Sequence, residues 1–368
     1  MNLNTLPTAS SAAPIRWMLK VGSTVLKAVD WDIEHSGVME AAEFRANVAA
    51  PVSDWAWWLG QTEVLVDVYV GSPPDPRAYT SDDLTLVMTA RCDQLNLDVG
   101  SMTVRLCGRD LTSLLIDNKT TQKWQNLTSS EIATIIAQLW GFEYSIMGTT
   151  TPVGNFYTTD HVKLAKADTY WNVLTYLAQR EGFQVFVLGR VLYFGTYGSQ
   201  SGTAPYLIQV DTSGAYPTSN AEELNFAHDL TLAQDISVTV RSYHGMLGAA
   251  FSGTATASKT AKKIEQDARV AQALQHYDFV VPGLTQPQCV LKANQILGDL
   301  STHELKMSAR LPMDTLLYPW VQVKVAGTGT MLDALYVPSS VRRFGNAGGC
   351  GMSVSARAGV PQATVTLA

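Results

Sequence analysis

Short blocks in which apolar and polar residues alternate dominate the first hundred positions, and a period of two is the mark of a half-buried β-strand. Val64–Val70 is rich in β-branched residues and runs into Gly71-Ser-Pro-Pro74, a turn that a helix does not cross. Ile15–Val21, Glu43–Ala49, Leu84–Gln94 and Met102–Cys107 carry similar patterns. The period then lengthens. Thr128-Ser-Ser-Glu131 is a capping box ahead of Ile132, Ile135, Ile136 and Leu139, which fall on one helical stripe. A second helix is expected from about Asp168, burying Trp171, Leu174, Leu177 and Ala178 and stopping at Gly182. Phe183–Leu188 and Val191–Phe194 flank Gly189-Arg190, a two-residue loop with glycine first, which predicts a hairpin closed by a type II′ turn.

From Ser199 to Asn220 the chain is rich in Ser, Thr, Gly and Pro around a single short strand, and this reads as a linker. Strand patterns return at Asp235–Ser242, Glu304–Leu311, Val321–Ala326, Tyr336–Arg343 and Met352–Ala358. One helix interrupts them: Pro287 suits its first turn, and Val290, Ala293, Leu297 and Leu300 share a face. Lys259–His276 is polar and fits a helix or a long loop equally. The expected class is therefore mainly β with a small α/β insert. The order is a leader (1–14), a first β domain (15–109, sandwich or barrel), the insert (110–198), a linker (199–221) and a second β domain (222–368) with one helix near 286–300. The two outer regions match in strand content, which suggests duplication of one β unit.

Composition narrows the function classes. At 368 residues the chain exceeds what one core usually organises. Charged residues make up only 16%, against 46% apolar, a balance expected of a protein much of whose surface meets partners. The net charge is −6 and no run of Lys or Arg is long enough to grip a phosphate backbone, which argues against stable nucleic-acid binding. Cys92, Cys107, Cys289 and Cys350 form no C-x-x-C pair, so they read as small apolar residues of a reducing compartment, with no metal site. The leader lacks the basic start and apolar block of a secretion signal, and no stretch reaches the roughly 20 apolar residues that span a bilayer. A soluble protein made in a cytoplasm is expected.

Catalytic patterns fail one by one. His303-Glu304-Leu-Lys-Met307 opens like a zincin helix but has Met307 where the second imidazole belongs. Gly327-Thr-Gly329-Thr-Met-Leu332 lacks the third glycine of a dinucleotide loop, and Gly198-Ser-Gln-Ser-Gly202 has Gln200 in place of a nucleophile. Asp54 with Asp67, or Asp82 with Asp83, are the acid pairs a hydrolase would need, and loop carboxylates of this kind occur in most chains. The sequons at Asn118 and Asn126 have no secretion signal beside them. Trp55, Trp57 and Trp58 form the densest aromatic cluster; they either end a strand with Trp55 and Trp57 facing the core, or anchor a protein or glycan contact.

Three stretches together resemble the baseplate hub proteins of tailed phages, the family of the late control protein D type and of the Mu and T4 hubs. Gly108-Arg109-Asp110-Leu-Thr-Ser-Leu-Leu-Ile-Asp117 looks like the segment that closes the first barrel of such hubs. Asp168 to Phe183 and the hairpin through Tyr193-Phe194 are similar to the family's insert. Arg310-Leu-Pro312-Met-Asp314, Tyr318-Pro319, Gly327-Thr-Gly329, Asp333, Tyr336 and Ser340-Val-Arg342 look like the C-terminal barrel. The resemblance spans about residues 15 to 358.

It implies two tail-tube-like β-barrels in one chain and a homotrimeric ring. Three chains with two barrels each present sixfold symmetry to a hexameric tail tube and threefold symmetry to a trimeric central spike. The implied partners are other copies of the chain, the tube ring, the spike, the surrounding baseplate or wedge proteins and the tape measure protein, with DNA only in transit. The implied place is the tail baseplate of a virion assembled in a bacterial cytoplasm, the similarity leaning towards a contractile tail; no cofactor and no catalysis are implied. The acidic balance suggests a lumen lined by carboxylates that repel DNA. A tail-associated cell-wall hydrolase, a host-surface binding module and the spike of a secretion system are the competing readings.

Overall fold

The computed structural model describes residues 14–37, 39–122, 124, 126–150, 168–196, 204–230, 236–245, 248–258, 275–358 and 364–366. The leader up to residue 13, most of the stretch 259–276 and the Gly198–Gly202 motif lie outside them. The fold is mainly β, and its framework is one sheet of 14 strands.

The two expected β regions are the two halves of that sheet. In the first lobe, Ala28–Ser36, Glu43–Ala49, Thr103–Asp110, Thr85–Asp98, Leu65–Gly71 and Arg16–Val21 lie side by side, all antiparallel. Alternation explains the arrangement. Phe44, Ala46 and Val48 point into the core, as do Val66, Val68 and Val70, while their neighbours face outward. Ala28–Ser36 is less legible in sequence because Asp30, Asp32 and Glu34, poor strand formers, hold its outward positions while Trp31, Ile33 and His35 face in.

The second lobe is built from Tyr206–Asp211, Glu223–His228, Leu305–Pro312, Val323–Ala326, Leu335–Asn346 and Gly349–Ala358. Tyr206–Asp211 falls in the stretch expected as a linker. It is the single short strand expected there, paired in parallel with Val323–Ala326 and burying Tyr206 and Ile208 between Ser/Gly/Pro-rich flanks.

Leu335–Asn346 is the seam strand. From Ser340 to Asn346 it lies between Gly349–Ala358 of its own lobe and Ala28–Ser36 of the other. A single core cluster therefore runs through both lobes. Gly345 of the seam strand stands against Trp31, and a Cβ there would fall on the indole ring.

Each lobe hands the chain to an α/β unit with its own core. After Thr103–Asp110 come the helices Thr112–Asp117, Ser129–Leu139 and Tyr170–Glu181 and a three-stranded sheet of Gln184–Leu188, Val191–Gly195 and Glu143–Ile146. Local chemistry follows the sequence here. Thr128 and Glu131 cap one another, Gly182 ends its helix at φ 70°, and Gly189 opens the hairpin turn at φ 58°. After Glu223–His228 comes a second unit. The strands Gln275–Val280, Ile236–His244, Ala249–Ser258 and Thr364–Thr366 pack Ile236, Val238 and Val240 against Cys289, Ala293 and Leu297 of the helix Gln286–Ser301. The region expected as one second β domain thus contains two cores.

Gly345→Ala puts a methyl group where the Trp31 ring sits, at the joint between the lobes. The expected cost is about 1–3 kcal/mol, the usual range for overpacking a filled core, read as a lowered urea midpoint at unchanged slope.

Candidate assembly surfaces and the buried junction

The expected motif residues fall in three places. At the first, the Gly108-Arg109-Asp110 segment is a corner between lobe and insert. The neighbouring strand bulges between Cys92 and Gln94, and only glycine at 108 lets the backbones approach, since a Cβ would strike the Arg91 carbonyl and the Cys92 Cα. The bulged residue, Asp93, receives both arms of the Arg109 guanidinium, Nε at 2.7 Å and Nη2 at 3.0 Å. Arg109 and Arg91 also hold Asp117. Asp110 is buried and accepts the Thr112 N–H at 3.1 Å, and burial raises its carboxyl to about 7 despite that bond.

At the second, Gly327 takes φ 98° where a Cβ would strike the Val210 carbonyl. Asp333 closes the turn. It accepts the Thr328 N–H and hydroxyl and the Gly329 N–H at 2.8–2.9 Å; partial desolvation opposes its ionisation, but these bonds hold its carboxyl below the ordinary range. Tyr336, fully buried, donates to the Leu332 carbonyl at 3.2 Å. Arg310 pairs with Glu222 at 3.0 Å on the outer face, and Pro312 ends its strand opposite Gly351.

The third place is the buried junction, and most of its members carried no signal in the sequence. Arg343 is fully buried at the middle of the seam strand. Its Nε donates to the Asp314 carbonyl at 3.1 Å, its Nη2 to the Leu317 carbonyl, and its guanidinium lies 4.4 Å from the centre of the Tyr318 ring. A stack of rings continues outward: Tyr318 on Trp320 at 4.7 Å, Trp320 on Phe186 at 3.9 Å, Phe186 on Tyr193 at 4.9 Å. Phe186 and Tyr193 belong to the insert hairpin, so the column ties the insert to the joint between lobes. His35, from the first lobe, meets Tyr318 edge-on at 5.3 Å.

Burial and then the Arg343 charge drive the His35 imidazole down to about 3, so it is neutral. Burial raises the Asp314 carboxyl, and the Leu316 N–H bond and the Arg343 cation oppose that shift only in part. Arg343 Nη1, Asp314 Oδ2, the Tyr206 hydroxyl and His35 Nδ1 have no hydrogen-bond partner among the described residues.

Two outer surfaces remain. One is a polar sheet face that crosses the seam: Asn225, Ser308, Ser355, Ser340 and Ser36 lie in successive register on five strands. Most of its charges are matched within the chain, Arg342 on Asp32, Arg45 on Glu43, Arg310 on Glu222 and Arg109 on Asp93, so the face carries both signs. The other is an apolar rim at one end of the first lobe, where Ala49 N–H meets the Lys27 carbonyl and Ala50 N–H the Met102 carbonyl. Val25, Val29, Val52, Val99 and Met102, each within three residues of these bonds, are exposed, as is Leu59 at the end of the helix that follows, at 65%.

The tryptophan cluster sits beside that rim in a form not expected. Trp55–Leu59 is a short helix rather than a strand end, so the spacing of about 100° per residue buries Trp58 while Trp57 stays 41% exposed. Trp55 donates to the Ala50 carbonyl. The acid pairs have local work: Asp67 accepts from Thr89 at 2.7 Å, and Asp83 caps the turn at Thr80. His303 precedes a strand, Leu305–Pro312, rather than lying on a helix. Among the described residues no three His, Cys, Asp or Glu side chains are grouped to hold a metal ion, and no helix is long and apolar enough to cross a membrane.

A tail protein from Neisseria meningitidis superposes at a TM-score of 0.65, with 15% identity over 95% of this chain and 99% of that one. The chain has the fold of phage tail proteins. A tail protein of the Shewanella oneidensis prophage MuSo2 matches at 0.62, with 13% identity over 92% and 97% of the two chains. A prophage tail protein from Listeria monocytogenes matches at 0.53, with 12% identity over 92% and 94%. No family model and no curated protein matches the sequence.

The junction gives a pH signature. A His35 held at about 3, against 6.5 in the unfolded chain, supplies stability that is complete above pH 6.5 and is lost as pH falls towards 3, because only the unfolded chain takes up the proton. At pH 5 the loss from this group is about 2 kcal/mol. His35→Phe, which keeps the edge contact with Tyr318, is expected to reduce the drop in thermal midpoint between pH 7.5 and pH 5.

Proposed function

We propose that this chain is a structural hub of a phage tail baseplate, forming a homotrimeric ring that joins the hexameric tube to the central spike, without catalytic activity. The observation that carries this reading is the seam. Two β lobes in one chain, each leading into its own α/β unit, are locked edge to edge by Leu335–Asn346. Three such chains offer six lobes to a sixfold partner and three identical chains to a threefold one. The tail-protein fold over nearly the whole chain supports the same reading.

The polar face across the seam suits the wall of an aqueous passage for DNA, being wide, hydroxyl-rich and poor in exposed apolar groups. Its charges are mixed, so weak adhesion would come from charge pairing rather than from a lining of carboxylates. The apolar rim around Leu59 is of the kind that subunit contacts cover. The place of the protein in this reading is the virion tail, beside spike, wedge and tape measure proteins. The side chains singled out for hydrolysis, Asp54, Asp67, Asp82 and Asp83, lie on the first lobe's strand and turns, where two of them have structural employment.

Native mass measurement of the chain, alone and mixed with tube and spike proteins of the same tail, tests the ring. A mass of three chains is expected at least in the mixture; a chain that stays monomeric beside both partners overturns the hub. Leu59→Asp, at an exposed position, is expected to change stability by no more than about 0.5 kcal/mol and to weaken assembly by about tenfold or more.

A further inference from the structure

On the second lobe, the polar face is hollowed into a trough of about 360 Å³ lined by Asn225, Ser308, Ser355, His303, Lys306 and Arg357 among others, with no Asp or Glu in its wall among the described residues. Lys306 and Arg357 are register partners on adjacent strands. Two cations directly opposite each other repel and are costly unless something lies between them. Neither makes an ion pair with a carboxylate among the described residues, although the other arginines of the same face, Arg310 and Arg342, both do. One row along, Asn225, Ser308 and Ser355 are also register partners across three strands, so their side chains project on the same side as the cations.

His303 fixes the remaining geometry. Arg357 Nη1 lies 2.7 Å from His303 Nε2. Because a guanidinium only donates, His303 Nε2 accepts, and its proton sits on Nδ1. Burial first, and then the Arg357 and Lys306 charges, keep this imidazole below its usual range and hence neutral. The imidazole thus steers Arg357 without cancelling its charge.

We propose that the trough is an oxyanion site for a phosphate group, held by Lys306 and Arg357 and by the Ser308, Ser355 and Asn225 side chains. Two cations, one of them held by His303, and at least three neutral donors on three strands exceed what the two oxygens of a carboxylate take up, and match a group with three or more acceptor oxygens and up to two charges. The phosphate could be a free ion or part of a nucleic-acid backbone. One such site is far short of the charge needed for stable DNA binding. The proposal rests on the trough's own chemistry and not on the tail reading.

Inorganic phosphate titrated into the full chain, with the His303 imidazole followed by NMR, tests it. Saturable binding is expected, with the His303 titration moving upward as the anion offsets its two cationic neighbours. The double variant Lys306→Gln, Arg357→Gln should bind about tenfold more weakly or worse, while Arg357→Lys retains part of the affinity. Both changes lie on the solvent face, and an unchanged thermal midpoint shows that folding is intact. A short duplex that displaces phosphate makes the backbone the source; one that does not makes it the free ion. No saturable response, a response unchanged in the double variant, or equal displacement by acetate overturns the proposal.

Discussion

A guanidinium with no access to water dictates much of this architecture. Arg343 stays charged in the core because deprotonating it is far costlier than finding partners, so each surrounding element must deliver one. The stretch between Pro312 and Val323 answers this demand. It turns its Asp314 and Leu317 carbonyls inward and lays the Tyr318 ring on the cation, which places Trp320 under Phe186 of the insert. A guanidinium suits this place because its planar fork donates to two carbonyls while its face lies on a ring, whereas a lysine ammonium is compact and not planar. Three bodies that could otherwise swing about their connections are thereby fixed against one point on the seam strand.

The seam strand shows why register matters more than residue type. Arg342 and Arg343 are neighbours in sequence and look interchangeable there. The pleat sends Arg342 out to Asp32 and Arg343 in to the junction, and a slip by one residue would exchange them. Gly345, two residues on, faces inward as Arg343 does and leaves the space that Trp31 fills. The joint between lobes thus has a small residue, a cation and an apolar wall in fixed order along one face.

What the sequence disclosed was local. The capping box at Thr128, the stop at Gly182, the hairpin at Gly189 and the β-branched strands such as Val64–Val70 depend on chemistry within a few residues, and each formed within a residue or two of its expected bounds. What it concealed depends on partners far along the chain. Ala28–Ser36 alternates well but places acids outward, and those acids become legible only once Asp32 meets Arg342 and Asp30 meets Asn47. The junction could have been suspected from Arg343 next to Tyr318 and Trp320 only with the fold known, since 23 residues separate Trp320 from Arg343 and 308 separate His35 from it. The tryptophan cluster misled because three aromatic residues in four positions satisfy strand and helix templates alike. Only the burial of Trp58 with exposure of Trp57 decides between them.

The low charge of the chain also takes on a different meaning. A charge fraction of 16% suggests a surface much of which meets partners. Much of the apolar content is instead spent inside, in one core continuous through both lobes and two smaller ones beneath the α/β units. The outer face across the seam is made wettable by Ser, Asn and paired charges rather than by free Lys and Glu. A surface of this kind is hydrated without a strong field of either sign, so a polyanion can pass it without being held or expelled. Against that background Lys306 beside Arg357, neither with a carboxylate partner among the described residues, is a local departure from neutrality on a face where Arg310 and Arg342 are both paired.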